Sequence, residues 1–538
     1  MKNHDENINR LTIAIKEKIG KPVSVRVVVA TIESLGVRDI DVPEDYGLSS
    51  IRILADLIYR DLTISPENIG LKNKKEIESI EKDFSTVQVS DYLMVKAKIF
   101  FEYYPKGIFH LFPVLLQILA IVVFGYSLWT YVGFNHTQST AVVLGVIVGL
   151  VTSGGFVQVI GRQASFFWNH QDLKQTKSIV DYFIKLGVKS IFFVLTSIFV
   201  INSFFYLYPI QFLFVVFVYA FLIGLLLLII APVHVIKQRW VVSVSIFVAT
   251  AVAILLKNYT ILHIYVTHWI GIIVAILISR IYINFYFKRN IKKRNHDSKI
   301  VLKTPVMLYH TYKYFFYGTL LYIFIFIDRI IAWSSSNFDQ HIPFLVYFEK
   351  NYELGMDLAI LVFLLLAGVM EYAIAAFSKF IELGQKQTSY KNKEKYGKRL
   401  LRMYWQSISM LVVTSIMIFI LMYYIVTASW GYRGQFNEVL DDVTIFVGFA
   451  GGVGYFFLAW GMLNTLYLFT LSQPSIPLKA LIVACIVNLL FGFFLSRFIS
   501  YEYSVIGMIL GAITFCVLTL KHCIKFFKNL DYYYYAAN

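Results

Sequence analysis

A chain of 538 residues that is 58% hydrophobic and only 15% charged departs far from soluble globular proteins, in which about a quarter of residues are charged. Its net charge of +16 sits in short connections between apolar runs, which argues against nucleic-acid binding and for a role in setting membrane orientation. Cys485, Cys516 and Cys523 have no metal-ligand spacing and two of them lie in apolar segments, so neither a disulfide framework nor a metal site is expected.

Residues 1–95 carry mixed charges and read as a small soluble N-terminal domain. The first 25 residues lack an apolar stretch, so no cleavable leader is expected and the first membrane helix would direct insertion. Ile8, Leu11, Ile15 and Ile19 share a helical face that stops at Gly20. Val23 to Val29 fits a strand or a buried helix. Ser49 or Ser50 can cap a helix whose buried face is Ile51, Leu54, Ile58 and Leu62. The segment Tyr46-Gly47-Leu48-Ser49-Ser50-Ile51 also resembles the modification loop of acyl carrier proteins, but without the usual Asp before the serine, and a plain cap is the favoured reading. Lys72 to Asp83 reads as a charged surface segment, and Asp91 to Tyr104 as an amphipathic helix leading to the membrane.

Twelve apolar segments follow, at about 108–132, 141–161, 188–209, 211–235, 240–257, 260–286, 308–335, 356–381, 401–427, 443–471, 476–496 and 503–520. Each is near the roughly 20 residues that span a bilayer. Their connections alternate in charge. Arg162 to Lys189 holds five Lys/Arg, Lys237 to Arg239 two, Lys288 to Lys303 seven and Lys379 to Arg402 eight, while the intervening connections hold one or none. Basic loops stay cytoplasmic, so both termini are expected in the cytoplasm of a multi-pass protein of the cytoplasmic membrane. The long basic connection after the sixth segment divides the membrane part into 96–287 and 288–538, two bundles of six helices, as in transporters whose halves rock against each other. No residue-level repeat links the halves. The expected fold is therefore all-α and polytopic, with about twelve spans behind the N-terminal domain.

Several stretches resemble the multidrug/oligosaccharidyl-lipid/polysaccharide flippase superfamily. Gly154-Gly155-Phe156-Val157-Gln158-Val159-Ile160-Gly161-Arg162-Gln163, followed by Asn169, Asp172 and Lys174, is similar to the end of the second helix in polysaccharide flippases. Tyr503 to Thr514, with Gly507 and Gly511, resembles the last helix of that superfamily. Tyr314-Phe315-Phe316-Tyr317-Gly318, Ile327-Asp328-Arg329-Ile330-Ile331-Ala332-Trp333, Tyr352-Glu353-Leu354-Gly355-Met356-Asp357 and Val369-Met370-Glu371-Tyr372 resemble the PelG family of exopolysaccharide exporters. The resemblance covers about residues 100–538 and leaves out the N-terminal domain. It implies a flippase-like fold of the multidrug-and-toxin-extrusion (MATE) type, export of a polymer rich in N-acetylhexosamine, and a cytosolic glycosyltransferase and membrane subunits as partners beside the membrane lipids.

Ionisable residues inside a bilayer are costly and point to function by default. Asp328 and Arg329 fall inside the seventh segment, and Glu371 lies about 21 Å along the eighth from Asp357. These four, with Trp333 and Arg162, are the candidate transport-path residues. Arg329 is expected to meet a carboxylate on a neighbouring helix, with Glu371 the candidate for protonation. The alternative is a buried ion pair that fixes helix register. Tyr312, Tyr322 or Trp333 offers a face for sugar rings, His263 and His268 are candidate proton carriers, and Arg162 either grips a phosphate or anchors the interface.

Competing functions are a lipid-linked oligosaccharide flippase, a multidrug extruder, and a polytopic membrane glycosyltransferase or acyltransferase. The first outer connection, Gly133 to Thr140, has no carboxylate, and the chain has no Gly-x-x-x-x-Gly-Lys-Ser/Thr motif. An enzyme is therefore disfavoured, ATP is not the direct driver and no cofactor is expected.

Overall fold

The structure, a computed structural model, describes residues 2–20, 22, 24–64, 100–105, 107, 112–293, 304–335, 345–387, 393–428, 432, 434, 439–470 and 472–528. Lys72 to Asp83, most of Asp91 to Tyr104, and parts of the connections 288–303, 336–355 and 379–402 lie outside the described residues. The chain divides into two compact units, Met1–Ala97 and Lys98–Asn538. Every regular element among the described residues is helical.

The first unit holds α1 (Lys2–Ile19), α2 (Val25–Ser34), α3 (Val42–Tyr46) and α4 (Ile51–Ile64). Val23 to Val29, ambiguous in sequence, thus belongs to helix α2 from Val25 onward. Apolar residues spaced three or four apart (Leu11 and Ile15, Val28 and Ile32, Leu54 and Ile58) bury one face of each long helix in a shared core with Val42. The cap of α4 differs from expectation. The Ile51 amide donates to Asp39 Oδ1 at 2.6 Å, so a carboxylate from the preceding loop satisfies the helix end in place of Ser49 or Ser50.

The second unit is a bundle of long apolar helices: α5 (Phe112–Phe124), α6 (His136–Asn169), α7 (Leu173–Phe205), α8 (Ile210–Val235), α9 (Trp240–Tyr259), α10 (Ile264–Lys293), α11 (Thr304–Ser335), α12 (Lys350–Gln387), α13 (Lys393–Thr427), α14 (Asp442–Thr470), α15 (Ser475–Phe498) and α16 (Ser504–Lys528). Among the described residues eleven are long and apolar enough to cross a membrane, and α5 is a shorter apolar helix. The protein is a multi-pass membrane protein. Several helices run past their apolar segments. The helix α7 starts 15 residues before residue 188, because Asp172 accepts from the Gln175 amide at 3.0 Å and caps it there. Hydropathy marks only the lipid-spanning part, whereas capping marks where the helix begins. The start of α6 is set by a reciprocal cap, with the Gln138 amide on Asn135 Oδ1 (2.8 Å) and the Asn135 amide on Gln138 Oε1 (3.1 Å).

Helix pairing exposes the repeat that residue identities conceal. In the first half α6 packs on α7 and α8, α8 on α10, α9 on α10 and α5 on α9. In the second half α12 packs on α13 and α14, α14 on α16, α15 on α16 and α11 on α15. Each helix of the first half therefore has a counterpart six helices later. The main described contact between halves is α6 against α11. There the backbones meet at glycine: a Cβ on Gly154 would lie 2.2 Å from Tyr322 Cδ2, and one on Gly318 would lie 2.7 Å from the Gly154 carbonyl oxygen. In lipid, where apolar burial does not drive helices together, such close approach is what holds two helices.

Candidate functional site

Among the described side chains of its apolar part, α12 carries three carboxylates on one face. At 100° per residue, Glu353, Asp357 and Glu371 fall within about 40° of one another. At its Glu371 end this face meets the first half, because a Cβ on Gly107 would lie 2.7 Å from Gly368 Cα and 2.9 Å from Glu371 Cβ. Within residues 351–377 only Asp357 is exposed; its side chain is 65% accessible.

Near the α12 N-terminus these carboxylates meet the Asp328-Arg329 pair of α11. The Arg329 guanidinium forms a buried ion pair with Glu353, lies 4.0 Å from Asp357 and reaches the Tyr455 hydroxyl of α14 at 3.5 Å. Asp328 points elsewhere, accepting from the Tyr352 hydroxyl at 2.8 Å, since adjacent helical residues diverge by about 100°. One guanidinium thus serves two carboxylates, Glu353 and Asp357, with a third, Asp328, on the adjacent residue, and Asp328 Oδ1 and Glu353 Oε2 are buried without hydrogen-bond partners. With every group charged the cluster is one cation against three anions. It can take up a proton or a cation, and Asp357 can accept hydrogen bonds from the hydroxyl groups of a ligand.

Glu371 is not part of this cluster. It stands about 27 Å along α12 from Glu353 and pairs with Arg239, Nη2 to Oε1 at 2.8 Å. Arg329 does meet a carboxylate on a neighbouring helix, but that carboxylate is Glu353 and not Glu371, which eighteen residues of helix hold away from it. Glu353 was overlooked as a site residue although its spacing of four from Asp357 on the same helix marks it. Arg239 could not be found from sequence, since a basic residue in a short connection reads only as an orientation signal. Glu371→Gln should therefore leave Arg329 undisturbed. The Arg239–Glu371 pair is partly accessible, so losing it should cost about 1 kcal/mol or less. Glu371→Gln protein should keep wild-type abundance and a melting midpoint within a few degrees; a collapse in abundance would show the pair to be far more important than its exposure implies.

Trp333 is fully buried and packs 5.6 Å from the Phe348 ring, so it presents no free face to a sugar. Tyr322 is half-buried at the Gly154 crossing, and Tyr312 is exposed. Arg162 crosses to the other half and donates from Nη2 to Ser472 Oγ at 2.7 Å. His268 is buried and shares a 2.7 Å hydrogen bond with the Tyr219 hydroxyl. His263 and His268 lie in the first half, remote in sequence from the acidic cluster. A further ion pair, Arg280 to Asp181 at 3.1 Å, ties α10 to the N-terminal extension of α7.

At the end of the unit opposite the basic connections, the approach to α12 clasps the first half. The Phe348 amide donates to Thr140 Oγ1 at 3.1 Å, and the Val346 amide to the Tyr208 hydroxyl at 3.1 Å. The two halves are thus joined at both ends and at the α6–α11 crossing.

Two helical halves with repeated pairing define a two-lobed polytopic membrane fold. Solved structures place that fold. The chain is similar to the eukaryotic MATE transporter AtDTX14, with a TM-score of 0.57, 12% identity and coverage of 83% of this chain and 99% of that one. It is also similar to the Vibrio cholerae MATE transporter VcmN in its bent form, with a TM-score of 0.56, 11% identity and coverage of 82% and 99%. An outward-facing multidrug-resistance MATE family transporter of the MOP superfamily gives a TM-score of 0.55 at 11% identity, with coverage of 81% and 96%. The fold is MATE-like. No protein-family model matches the chain, and no curated protein matches its sequence.

Proposed function

We propose that this protein is a membrane transporter of the cytoplasmic membrane that exports a sugar polymer, in the manner of the PelG exporters that its α11 and α12 sequences resemble. The observation that carries this reading is the exposed Asp357, held 4.0 Å from a buried arginine on the α12 face whose Glu371 end meets the other half. An exposed carboxylate next to orphaned buried acceptors provides a hydrophilic step in a path between two rocking halves, and the MATE-like fold supplies those halves. Polymer, membrane lipids, a cytosolic glycosyltransferase and membrane subunits are the partners of this reading. Catalysis and cofactor chemistry are not part of it.

Deleting the gene should abolish secreted polymer, and Asp357→Asn should restore normal protein abundance with about tenfold less export. Such a loss corresponds to one charge-assisted hydrogen bond. Normal export by Asp357→Asn would remove the residue from the path. Accumulation of a lipid-linked oligosaccharide in the deletion strain would instead identify a flippase of lipid-linked precursors.

The proposed orientation places the basic connections in the cytoplasm. In a background without Cys485, Cys516 and Cys523, Ser335→Cys should react with an impermeant thiol reagent in intact cells, whereas Ser298→Cys should react only after lysis. The reverse pattern would invert the topology.

A further inference from the structure

At the end of the bundle that carries the basic connections, two cations from opposite halves converge on one short turn. Arg162, on α6, donates to Ser472 Oγ at 2.7 Å. Lys313, on α11, donates from Nζ to Ser475 Oγ at 2.7 Å. Ser472 and Ser475 bracket the turn into α15, a helix of 24 residues whose N-cap, Pro474, makes no side-chain capping bond. The free amides of its first turn, on Ser475 and Ile476, and the positive end of its dipole lie at the same turn. Among the described residues no carboxylate lies within ion-pair distance of Arg162 or Lys313, whereas Arg239, Arg280 and Arg329 each have one.

Tyr314 supplies an independent observation. It is only 4% exposed, and the Arg162 guanidinium stands 5.5 Å from its ring centroid. Its hydroxyl lies close to Arg162 and Ser472 but makes no hydrogen bond of good geometry with either. A buried hydroxyl without a partner costs stability, and two unneutralised cations on one turn repel each other. One ligand resolves both: an anion with several acceptor oxygens, able to take a guanidinium, an ammonium, a phenol, serine hydroxyls and helix amides together. A carboxylate has two oxygens and leaves donors unmet, whereas the tetrahedral oxygens of a phosphate match the set.

We propose that Arg162, Lys313, Tyr314, Ser472, Ser475 and the N-terminus of α15 form a phosphate-binding site that bridges the two halves. Its ligand is a phosphate mono- or diester group, from a phospholipid headgroup or from a soluble phosphate compound. Because Arg162 belongs to one half and the other groups to the second, bound phosphate ties this end of the molecule shut. The site does not depend on which cargo the protein exports.

The test uses full-length protein in a phosphate-free maltoside detergent and measures the thermal midpoint. One arm titrates inorganic phosphate against equal ionic strength of chloride; the other adds phosphatidylglycerol to the micelles. A saturable rise in midpoint in either arm is expected, and the responding arm identifies the source. Arg162→Gln and Lys313→Gln should each weaken the response about tenfold, and Tyr314→Phe by a few fold, as expected for charged and neutral hydrogen bonds. If the charge variants do not fold, Ser475→Ala and Tyr314→Phe carry the test, because both keep the packing. No response in either arm overturns the proposal, as does a response that survives unchanged in the folded variants.

Discussion

Gly154→Leu and Gly318→Leu should each prevent the two halves from docking. At both positions the neighbour is not a mobile side-chain tip alone: a Cβ on Gly318 would stand 2.7 Å from the Gly154 carbonyl oxygen, and one on Gly154 would stand 3.1 Å from the Gly318 carbonyl oxygen. Backbone cannot rotate out of the way, so α6 and α11 must separate. Overpacking typically costs about 1–3 kcal/mol, and a crossing made of two backbones belongs at the upper end of that range. The expected result is a melting midpoint lower by many degrees, loss of folded protein in detergent, and loss of export. Gly161→Ala on the same α6 is the control, since a Cβ there meets nothing within 4 Å and alanine is the better helix former. That variant should melt at or above the wild-type temperature. A wild-type midpoint for Gly154→Leu would mean that the halves are held together elsewhere.

Arg329→Gln and Glu353→Gln should each destabilise strongly, and together with apolar replacement they should not. Both side chains are nearly inaccessible, so either single change leaves the other group charged and buried. Removing one member of such a pair costs about 3–5 kcal/mol, while replacing both by apolar residues of similar volume is often neutral. Arg329→Met combined with Glu353→Leu should therefore restore folded yield to within about twofold of wild type while each single variant falls well below it. Export separates the two roles of the pair. A folded but export-dead double variant, alongside the export defect of Asp357→Asn, is the expected outcome and makes the cluster part of the path. A folded double variant with full export would reduce Arg329 and Glu353 to a device for helix register.

The two charged features of α12 behave differently in these tests because of depth and access. Glu353 is sealed between α11 and α14, whereas Glu371 sits at the other end of the face with a partly accessible arginine from the α8–α9 connection. Both are glutamates in one apolar helix, and composition alone treats them alike.

The long apolar runs were sufficient to identify a multi-pass helical membrane protein, because in lipid every backbone amide and carbonyl must be satisfied within the segment. The basic connections were sufficient to divide it into two halves, and the spacing of Ile, Leu and Val in residues 1–64 marked the buried faces of α1 and α4. Charged residues inside apolar runs were visible for the same reason, since each is an exception to a composition that lipid otherwise enforces. Partner choice was not visible. Hydropathy is blind to rotation about a helix axis and to which helices adjoin. Thus Arg329 finding Glu353, Glu371 finding Arg239, Arg162 reaching Ser472 and Trp333 turning inward were all decided by packing. The repeat between halves was hidden likewise, because many apolar side chains fill the same contact equally well and only the pairing of helices is retained. The capping of α4 by Asp39 in place of a serine follows from a loop that brings a residue twelve positions away onto the helix end. Local pattern fixes what each segment is, and the tertiary structure alone decides what each charged side chain meets.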